Sequence, residues 1–408
     1  MNTFNKLLTR VLFFIFLLFP ASGAWASGLA RTGQDLCYDV SGTEISCATS
    51  GQTQDGALKA GAAWPGPRFV DNGDGTITDN LTGLMWLKDA NCVKSHYQNV
   101  DTHGLLTWEQ ALNFIAGINN GTYSGCQAGH TDWRMPNILE LSSLHNPGFD
   151  EDMCNERGKV WHCRYLALWL ASQGFINVRP FLYWSSTTDR GNIDEMKYSI
   201  SMMSGVMATI DPGNRLYLWP VRDAGGASTV KIRRTGQTTS YGPGDDGALQ
   251  KGEPWPDPRF TDNGDGTVTD NLTGLMWLKD ANCIHSHYQN YDDDGNVNWQ
   301  QALDFVDGIN NGSYPLCAAG RNDWRLPNKD ELFSLVDFSR DSPPHLPPGH
   351  PFENVLTSGG RAQDFWTSTT YALGRSYSWM LSDHFMTQSS LPKSNSSRGC
   401  VWPVRNAQ

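Results

Sequence analysis

The sequence of 408 residues lacks the basic surface and the long apolar runs that two common classes of partner require. Its 31 lysines and arginines are outnumbered by 42 aspartates and glutamates, so the formal charge is −11. Nucleic acids and anionic lipids need a basic surface on the protein, and this charge argues against both as the main partner. Beyond residue 26, no stretch approaches the roughly 20 apolar residues of a membrane-spanning helix, so we expect no membrane span.

Sequence motifs of catalysis and cofactor binding are also lacking. The chain has no GxSxG, P-loop, dinucleotide-binding or HExxH pattern, and no closely spaced carboxylate pair occurs in both halves. We therefore expect no catalytic residues and no organic cofactor. The prediction is a protein that is not an enzyme.

The first 26 residues are typical of a secretory signal peptide. Lys6 and Arg10 precede an apolar run from Val11 to Phe19, and small residues lead to a favoured cleavage site after Ala26. Because the segment contains no acidic residue, removing its two cations takes the formal charge from −11 to −13. We expect an exported protein that is secreted, held at the cell surface or kept in the periplasm.

An internal repeat organises the rest of the chain. The fourteen residues DNLTGLMWLKDANC occur at 79–92 and again at 270–283, an offset of 191. A repeat of this length is a whole domain rather than a solenoid unit. The predicted divisions are an N-terminal segment at 27–54, copy 1 at 55–222, a linker at 223–245 and copy 2 at 246–405. The linker opens with DAGGAS and ends in YGPG, so we expect it to be exposed and cleavable between independent domains.

Nine cysteines in an exported chain predict disulfides with one cysteine left over. Two cysteines recur in both copies, and two further pairs are present or absent together when the copies are compared. The predicted disulfides are Cys37–Cys47, Cys92–Cys126, Cys154–Cys163 and Cys283–Cys317. The ninth cysteine, Cys400, aligns with Leu218 in the last strand of copy 1, so we expect a buried free thiol.

The local patterns of each copy predict an α+β domain with an antiparallel sheet and two helices. Short apolar runs alternate with Asn-Gly, Asp-Gly and Thr-Gly at the start of each copy, which indicates a meander of three strands. A capping box at Thr107 or Asn298 then begins an amphipathic helix. Asn137 and Asn328 are expected to cap a second helix, and YWSST, FWTST and the WPVR segments are expected to be strands.

Both copies carry four motifs in the same order: DNGDGTxTDNxTGLMW, DWRMPN or DWRLPN, WSST or WTST, and WPVR. At these residues the chain resembles the Lcl C-terminal domain family, named for a bacterial collagen-like adhesin. The resemblance implies an exported domain associated with surface adhesion and glycan binding. The pattern is also similar to C-type-lectin-like folds. The chain has no Gly-X-Y repeat, so the collagen-like stalk of the named adhesin is not expected here.

Acidic and basic residues within the repeat supply candidate binding groups. Six aspartates are possible ligands of calcium, although Asp, Asn and Gly are also the residues that tight hairpins require. The six are Asp71, Asp74, Asp79, Asp262, Asp265 and Asp270. Arg134 and Arg325 could bind a ligand carboxylate, or could instead bond carbonyls or pair with Asp132 or Asp323 inside the domain.

Sixteen tryptophans provide either core packing or flat surfaces for sugars. Trp86, Trp184 and Trp219, with their equivalents in copy 2, lie among apolar strand residues and are expected to be core. Trp161 and Trp169, in a part of copy 1 that differs from copy 2, are the candidates for exposed platforms. The leading hypothesis is a glycan-binding or adhesive protein. The alternatives are a structural module of an envelope or extracellular assembly, and an uncharacterised enzyme of lectin-like fold.

Overall fold

The computed structural model describes residues 28–48, 53–149, 165–191, 195–355, 363–382, 387–394 and 396–407. The predicted signal peptide, Trp161 and the predicted Cys154–Cys163 disulfide lie outside these ranges. Within them the chain forms two repeated domains of mixed α/β structure, with antiparallel sheets and few helices.

The first half of the chain contains eleven strands and five helices among its described residues. The strands are β1 (Cys37–Tyr38), β2 (Glu44–Ile45), β3 (Phe69–Asp71), β4 (Thr76–Asp79), β5 (Leu84–Leu87), β6 (Leu105–Leu106), β7 (Leu182–Thr188), β8 (Lys197–Ser201), β9 (Met207–Ile210), β10 (Leu216–Tyr217) and β11 (Val221–Asp223). The helices are α1 (Asp55–Leu58), α2 (Cys92–His96), α3 (Trp108–Asn119), α4 (Ile138–Ser143) and α5 (Tyr165–Ser172).

The second half repeats most of these elements. Its described strands are β12 (Phe260–Asp262), β13 (Thr267–Asp270), β14 (Leu275–Leu278), β15 (Asp364–Thr370), β16 (Tyr377–Ser382), β17 (Thr387–Pro392) and β18 (Val404–Asn406). Its described helices are α6 (Asp246–Leu249), α7 (Cys283–His287), α8 (Trp299–Asn310) and α9 (Lys329–Phe333). The element that distinguishes the halves most is α5, which has no helical counterpart among the described residues of copy 2.

The predicted three-stranded meander is present in both copies and gains a fourth strand from the end of the domain. β3, β4 and β5 pair antiparallel in sequence, and β11, which contains the end of the WPVR motif, pairs with β5 so that Val221 lies opposite Trp86. β12, β13, β14 and β18 form the same sheet in copy 2. The start and the end of each domain are therefore joined in one sheet.

A second sheet carries the WSST and WTST motifs. In copy 1 its order is β6-β10-β7-β8-β9, and in copy 2 it is β15-β16-β17. Most pairs are antiparallel, but β10 runs parallel to β7, with Tyr217 opposite Tyr183. Because WSST and WPVR lie in different sheets, the single antiparallel sheet expected for both motifs was wrong. Each copy is built on two sheets.

The predicted helices and caps are confirmed. The hydroxyl of Thr107 accepts a hydrogen bond from the backbone of Gln110, and Asn298 does the same for Gln301, which begins α3 and α8. α4 and α9 begin at Asn137 and Asn328, each with a complete capping box.

Three of the predicted disulfides are present in the structure: Cys37–Cys47, Cys92–Cys126 and Cys283–Cys317. Cys400 is free and buried, as expected. Burial raises the pKa of its thiol well above the ordinary value, so it stays protonated. Cys400 takes the place of Tyr217 rather than Leu218, because Trp402 matches Trp219 and the parallel bridge from Cys400 to Phe365 repeats the one from Tyr217 to Tyr183. The thiol donates to the side chain of Gln363.

The segment that precedes each copy, together with the first eight residues of that copy, packs against the other copy. We call residues 28–62 arm 1 and residues 228–253 arm 2. Arm 1 lies on copy 2, where the side chain of Gln34 bonds both backbone groups of Thr370 at 2.9 and 3.1 Å. Arm 2 lies on copy 1, where Gln237 accepts from the backbone of Thr188 at 3.1 Å. The expectation of a fully exposed linker between independent domains was therefore wrong.

One buried carboxylate in each arm makes the central contact of this exchange. Asp55 accepts hydrogen bonds from Thr32 at 2.7 Å and from Thr369 of copy 2 at 2.6 Å. Asp246 accepts from Thr235 and from Thr187 of copy 1, both at 2.7 Å. Burial raises the pKa of Asp55 to about 6 and the pKa of Asp246 to about 7.

A buried lysine also lies where each arm meets the opposite copy. The ammonium of Lys197 lies 4.4 Å from the ring centre of Trp108 and 4.8 Å from that of Tyr241 in arm 2. In copy 2, Lys393 lies 4.1 Å from the ring centre of Trp299 and 5.9 Å from that of Tyr38 in arm 1. Lys197 begins β8 whereas Lys393 directly follows β17, yet both attach an arm through aromatic rings.

Cleavage within residues 225–227 is expected to leave the two halves bound to each other. These residues are exposed, so a protease site can be inserted there without disturbing buried contacts. Because each fragment keeps an arm packed on the other, the cut protein should elute from a size-exclusion column at the volume of the uncut chain. Separation into two folded fragments without denaturant would contradict the exchange.

Asp246→Asn is expected to change how stability depends on pH. The folded-state pKa of Asp246 is about 7 against an ordinary value of 3.8. Its contribution to stability is therefore full below about pH 4 and is lost as the pH rises through about 7. Asn does not ionise, so the Tm of the variant relative to the wild type should increase between about pH 5 and pH 8. Thermal melts at both pH values measure this difference.

The matched control for this experiment is Asp71→Asn. Burial, Glu140 and Asp245 all raise the pKa of Asp246. The hydrogen bond from Lys88 instead lowers the pKa of Asp71. Asp71 is therefore ionised in both folded and unfolded chains from about pH 5 upward, and its variant should differ from the wild type by a constant amount. Identical pH dependence in the two variants would show that Asp246 titrates as an ordinary carboxyl group.

Candidate functional site

The arginine of the WRMPN and WRLPN motifs holds the second helix of each copy against its meander sheet. Arg134 binds Glu140 through both terminal nitrogens, at 2.5 and 2.7 Å, and also binds Asp223 at 2.9 Å. Glu140 in turn accepts from the backbone nitrogen of Asn137 at the start of α4. Burial alone would lower the pKa of Arg134, but the attraction of Glu140 raises it above its ordinary value.

This geometry corrects the expected internal partner of each arginine. Asp132 and Asp323 bind the arginines of the WPVR motifs, Arg222 and Arg405, at 2.6 Å. Arg325 binds Glu331, as Arg134 binds Glu140. The carboxylates of Glu140 and Glu331 therefore occupy the two-nitrogen edges of the guanidinium groups that a ligand carboxylate would need.

The six aspartates considered for calcium are engaged in the hairpins and do not converge. Asp79 is buried and binds Arg68 at 3.1 Å, while Asp71 binds Lys88 at 2.5 Å. Asp74 accepts from the backbone and the hydroxyl of Thr76. The same contacts recur at Asp262, Asp265 and Asp270. Among the described residues, neither group with metal-binding spacing includes any of the six.

The tryptophans expected in the core are there, and one expected platform is not exposed. Trp86, Trp184 and Trp219 are fully buried, as are Trp277, Trp366 and Trp402. Trp169 is only 6% exposed and lies 5.9 Å from Trp64 and 5.7 Å from Phe69 between ring centres. The expectation of an exposed Trp169 was wrong because α5 turns this residue inward onto the aromatic core.

The most exposed aromatic ring among the large apolar side chains of the described chain belongs to Phe181, just before β7. Its side chain is 63% exposed, and its ring stacks on Tyr217 with centres 6.3 Å apart. Two further exposed apolar residues, Leu168 and Met203, lie on segments joined to it by backbone hydrogen bonds, since Met202 donates to the carbonyl of Phe181 and Leu166 donates to that of Met203. We call Leu168, Phe181, Met203 and Tyr217 the Phe181 surface.

Charged groups border the Phe181 surface. Burial raises the pKa of Tyr217, with Arg179 and Asp101 acting on it electrostatically, and Asp101 binds Arg215 at 3.2 Å. An aromatic face with polar groups beside it is typical of small-ligand recognition. The sequence contained a signal for this surface, because copy 1 has the aromatic Phe181 where copy 2 has Gln363. In the structure Gln363 is buried.

The fold and these sites define a duplicated, disulfide-bonded protein of mixed α/β structure. Within the described residues, no helix is long and apolar enough to cross a membrane. The chain belongs to the Lcl C-terminal domain family, whose model matches residues 75–222 and 266–405. This family indicates an adhesin-like module, and the three disulfides are compatible with an exported protein. No curated protein and no solved structure matches the chain.

Proposed function

We propose that this chain is an exported, non-catalytic binding protein of adhesive type, and that copy 1 binds a glycan through the Phe181 surface. The observation that carries the proposal is the exposed ring of Phe181, which stands out because ten tryptophan side chains are fully buried. Apolar ring faces pack against the C–H faces of sugars, and the neighbouring polar groups can bind their hydroxyls.

The proposal also specifies that the two copies differ in function. Copy 2 replaces Phe181 with the buried Gln363 and has no α5 equivalent among its described residues. We assign binding to copy 1 and a supporting role to copy 2, which holds arm 1. The C-type-lectin-like fold remains part of this proposal.

A non-enzymatic role is favoured over an enzyme of lectin-like fold. The repeated polar residues that could act in chemistry are engaged elsewhere: Arg134 with Glu140, Asp79 with Arg68, and Asp55 with two threonines. One class of enzymes with a C-type-lectin-like fold, which generates formylglycine, needs a pair of cysteines late in the domain, and copy 2 has only Cys400 there. A metal assay on the purified protein tests the enzyme alternative, and a bound stoichiometric transition metal would favour it.

Phe181→Ala is expected to weaken glycan binding by about fivefold to tenfold, because one aromatic contact contributes on the order of 1 kcal/mol. A glycan array identifies the ligands of the wild-type chain, and titration of the best ligand against both proteins measures the change. The melting temperature should stay the same, since the substituted side chain is exposed.

Leu316→Ala is the matched control for this substitution. Leu316 is 65% exposed and lies in copy 2, so its removal deletes a similar apolar side chain far along the sequence from the Phe181 surface. Its affinity for the glycan should equal that of the wild type. Equal loss in both variants would refute assignment of binding to Phe181. A wild-type protein that binds no glycan would favour the structural-module alternative.

The bound glycan is expected to be neutral or bridged by a cation rather than a bare sulfated polymer. The formal charge of the full chain is −11, and a polyanion is repelled over a Debye length of roughly 8 Å in physiological salt. Heparin-agarose at about 0.15 M salt without added divalent cation should therefore not retain the protein. Lys231→Ala removes an exposed cation of arm 2. Firm retention of this variant would contradict the prediction and make sulfated glycans the favoured ligands.

A further inference from the structure

A cavity of about 100 Å³ lies where the two arms and the two copies meet. Its walls are mainly apolar and come from arm 1, arm 2, the start of copy 1 around its meander sheet, the α4 region and the α9 region. The apolar lining residues include Leu29, Trp64, Leu139, Val230, Ile232 and Phe333. Cationic side chains lie among them, so the cavity combines an apolar body with positive charge.

The lining contains four cations and a single carboxylate that is already neutralised. The cations are Arg31, Arg68, Lys231 and Arg233. The carboxylate is Asp330, which binds Lys329 at 2.5 Å. Arg31 and Lys231 are exposed, so positive charge borders the solvent side of the site.

Arg233 is the buried cation of this cavity without a carboxylate partner. Its residue is 7% exposed, and its guanidinium donates to the carbonyls of Phe333 at 2.9 Å and Arg234 at 3.2 Å. Within the described chain no ion pair includes Arg233, whereas Arg68 binds Asp79 at 3.1 Å. Burial and the nearby Arg259 lower the pKa of Arg233 to about 9, and the more distant carboxylates of Asp270 and Asp337 offset only part of this shift. A buried cation without an anion is costly, and an anionic ligand would remove that cost.

The fold does not require an arginine at this position. Alignment of the two arms through the shared Thr-Gly-Gln places Ala30 of arm 1 opposite Arg233 of arm 2. Both residues make the same kind of backbone bridge, Ala30 to Ala62 and Arg233 to Glu253. Glu253 is exposed and forms no ion pair with Arg233 among the described residues. The repeat therefore tolerates alanine in this structural role.

We propose that this cavity binds a small carboxylate with an apolar body, whose carboxylate accepts hydrogen bonds from Arg233. A guanidinium matches the planar, two-oxygen geometry of a carboxylate. One buried unpaired cation within apolar walls suits a single negative charge better than a doubly charged phosphate. The volume of about 100 Å³ is below the roughly 150 Å³ of a cavity known to hold benzene, so the apolar body is smaller than a benzene ring and is best met by a short alkyl chain.

Butanoate and pentanoate serve as probes, with butanamide and pentanamide as neutral matches of the same shape. A ligand that binds the folded state raises Tm in a concentration-dependent way. At least one of the two carboxylates should raise the Tm of the full chain with a saturable dependence, and its amide should not. In Arg233→Ala the affinity for that carboxylate should fall at least tenfold, because hydrogen bonds to a charged group contribute strongly to binding.

Arg234→Ala is the matched control, because Arg234 is the neighbouring arginine and does not line the cavity. It should bind the carboxylate as the wild type does. The proposal is overturned if neither carboxylate shifts Tm, if the amides act equally, or if Arg233→Ala binds as well as the wild type. Should Arg233→Ala not fold, Arg233→Met keeps the length of the side chain and takes its place. Failure of both variants to fold would show that the guanidinium is structural, and would also overturn the proposal.

Discussion

The hydrogen bonds of two buried aspartates hold this molecule together. Asp55 and Asp246 each belong to one half of the chain and accept a hydrogen bond from a threonine hydroxyl in the opposite copy. A buried carboxylate that lost these donors would be strongly destabilising, so each arm is tied to one position on its partner copy. The exchange turns two repeated domains into one interdependent unit.

The packing of both copies follows from that exchange. One cluster of buried residues includes side chains from both copies, such as Trp86 with Trp277 and Leu141 with Leu332. Tyr198 of copy 1 packs edge-on against Phe338 of copy 2, with ring centres 5.2 Å apart. The cavity at the junction is lined by both arms and both copies, so neither repeat considered alone contains it.

The two copies also show which parts of a duplicated domain are free to change. The Arg134–Glu140 pair, the capping boxes and the disulfide of α2 recur with closely similar geometry. Differences collect at the insert that carries α5 and Phe181, and in arm 2 at Arg233. The shared residues maintain the fold, whereas the residues that differ supply the two proposed binding surfaces.

The sequence by itself determined the duplication, the meander, the caps of the main helices, three disulfides and the buried Cys400. Each depends on residues that are close in sequence or on a direct comparison of the copies. Only the tertiary structure decided where the arms pack, which carboxylate binds Arg134, and that Trp169 points inward while Phe181 is exposed. These depend on contacts between distant residues, such as Asp55 and Thr369, which are 314 positions apart. No local pattern encodes a contact over that distance, because its partners are set by how whole domains pack.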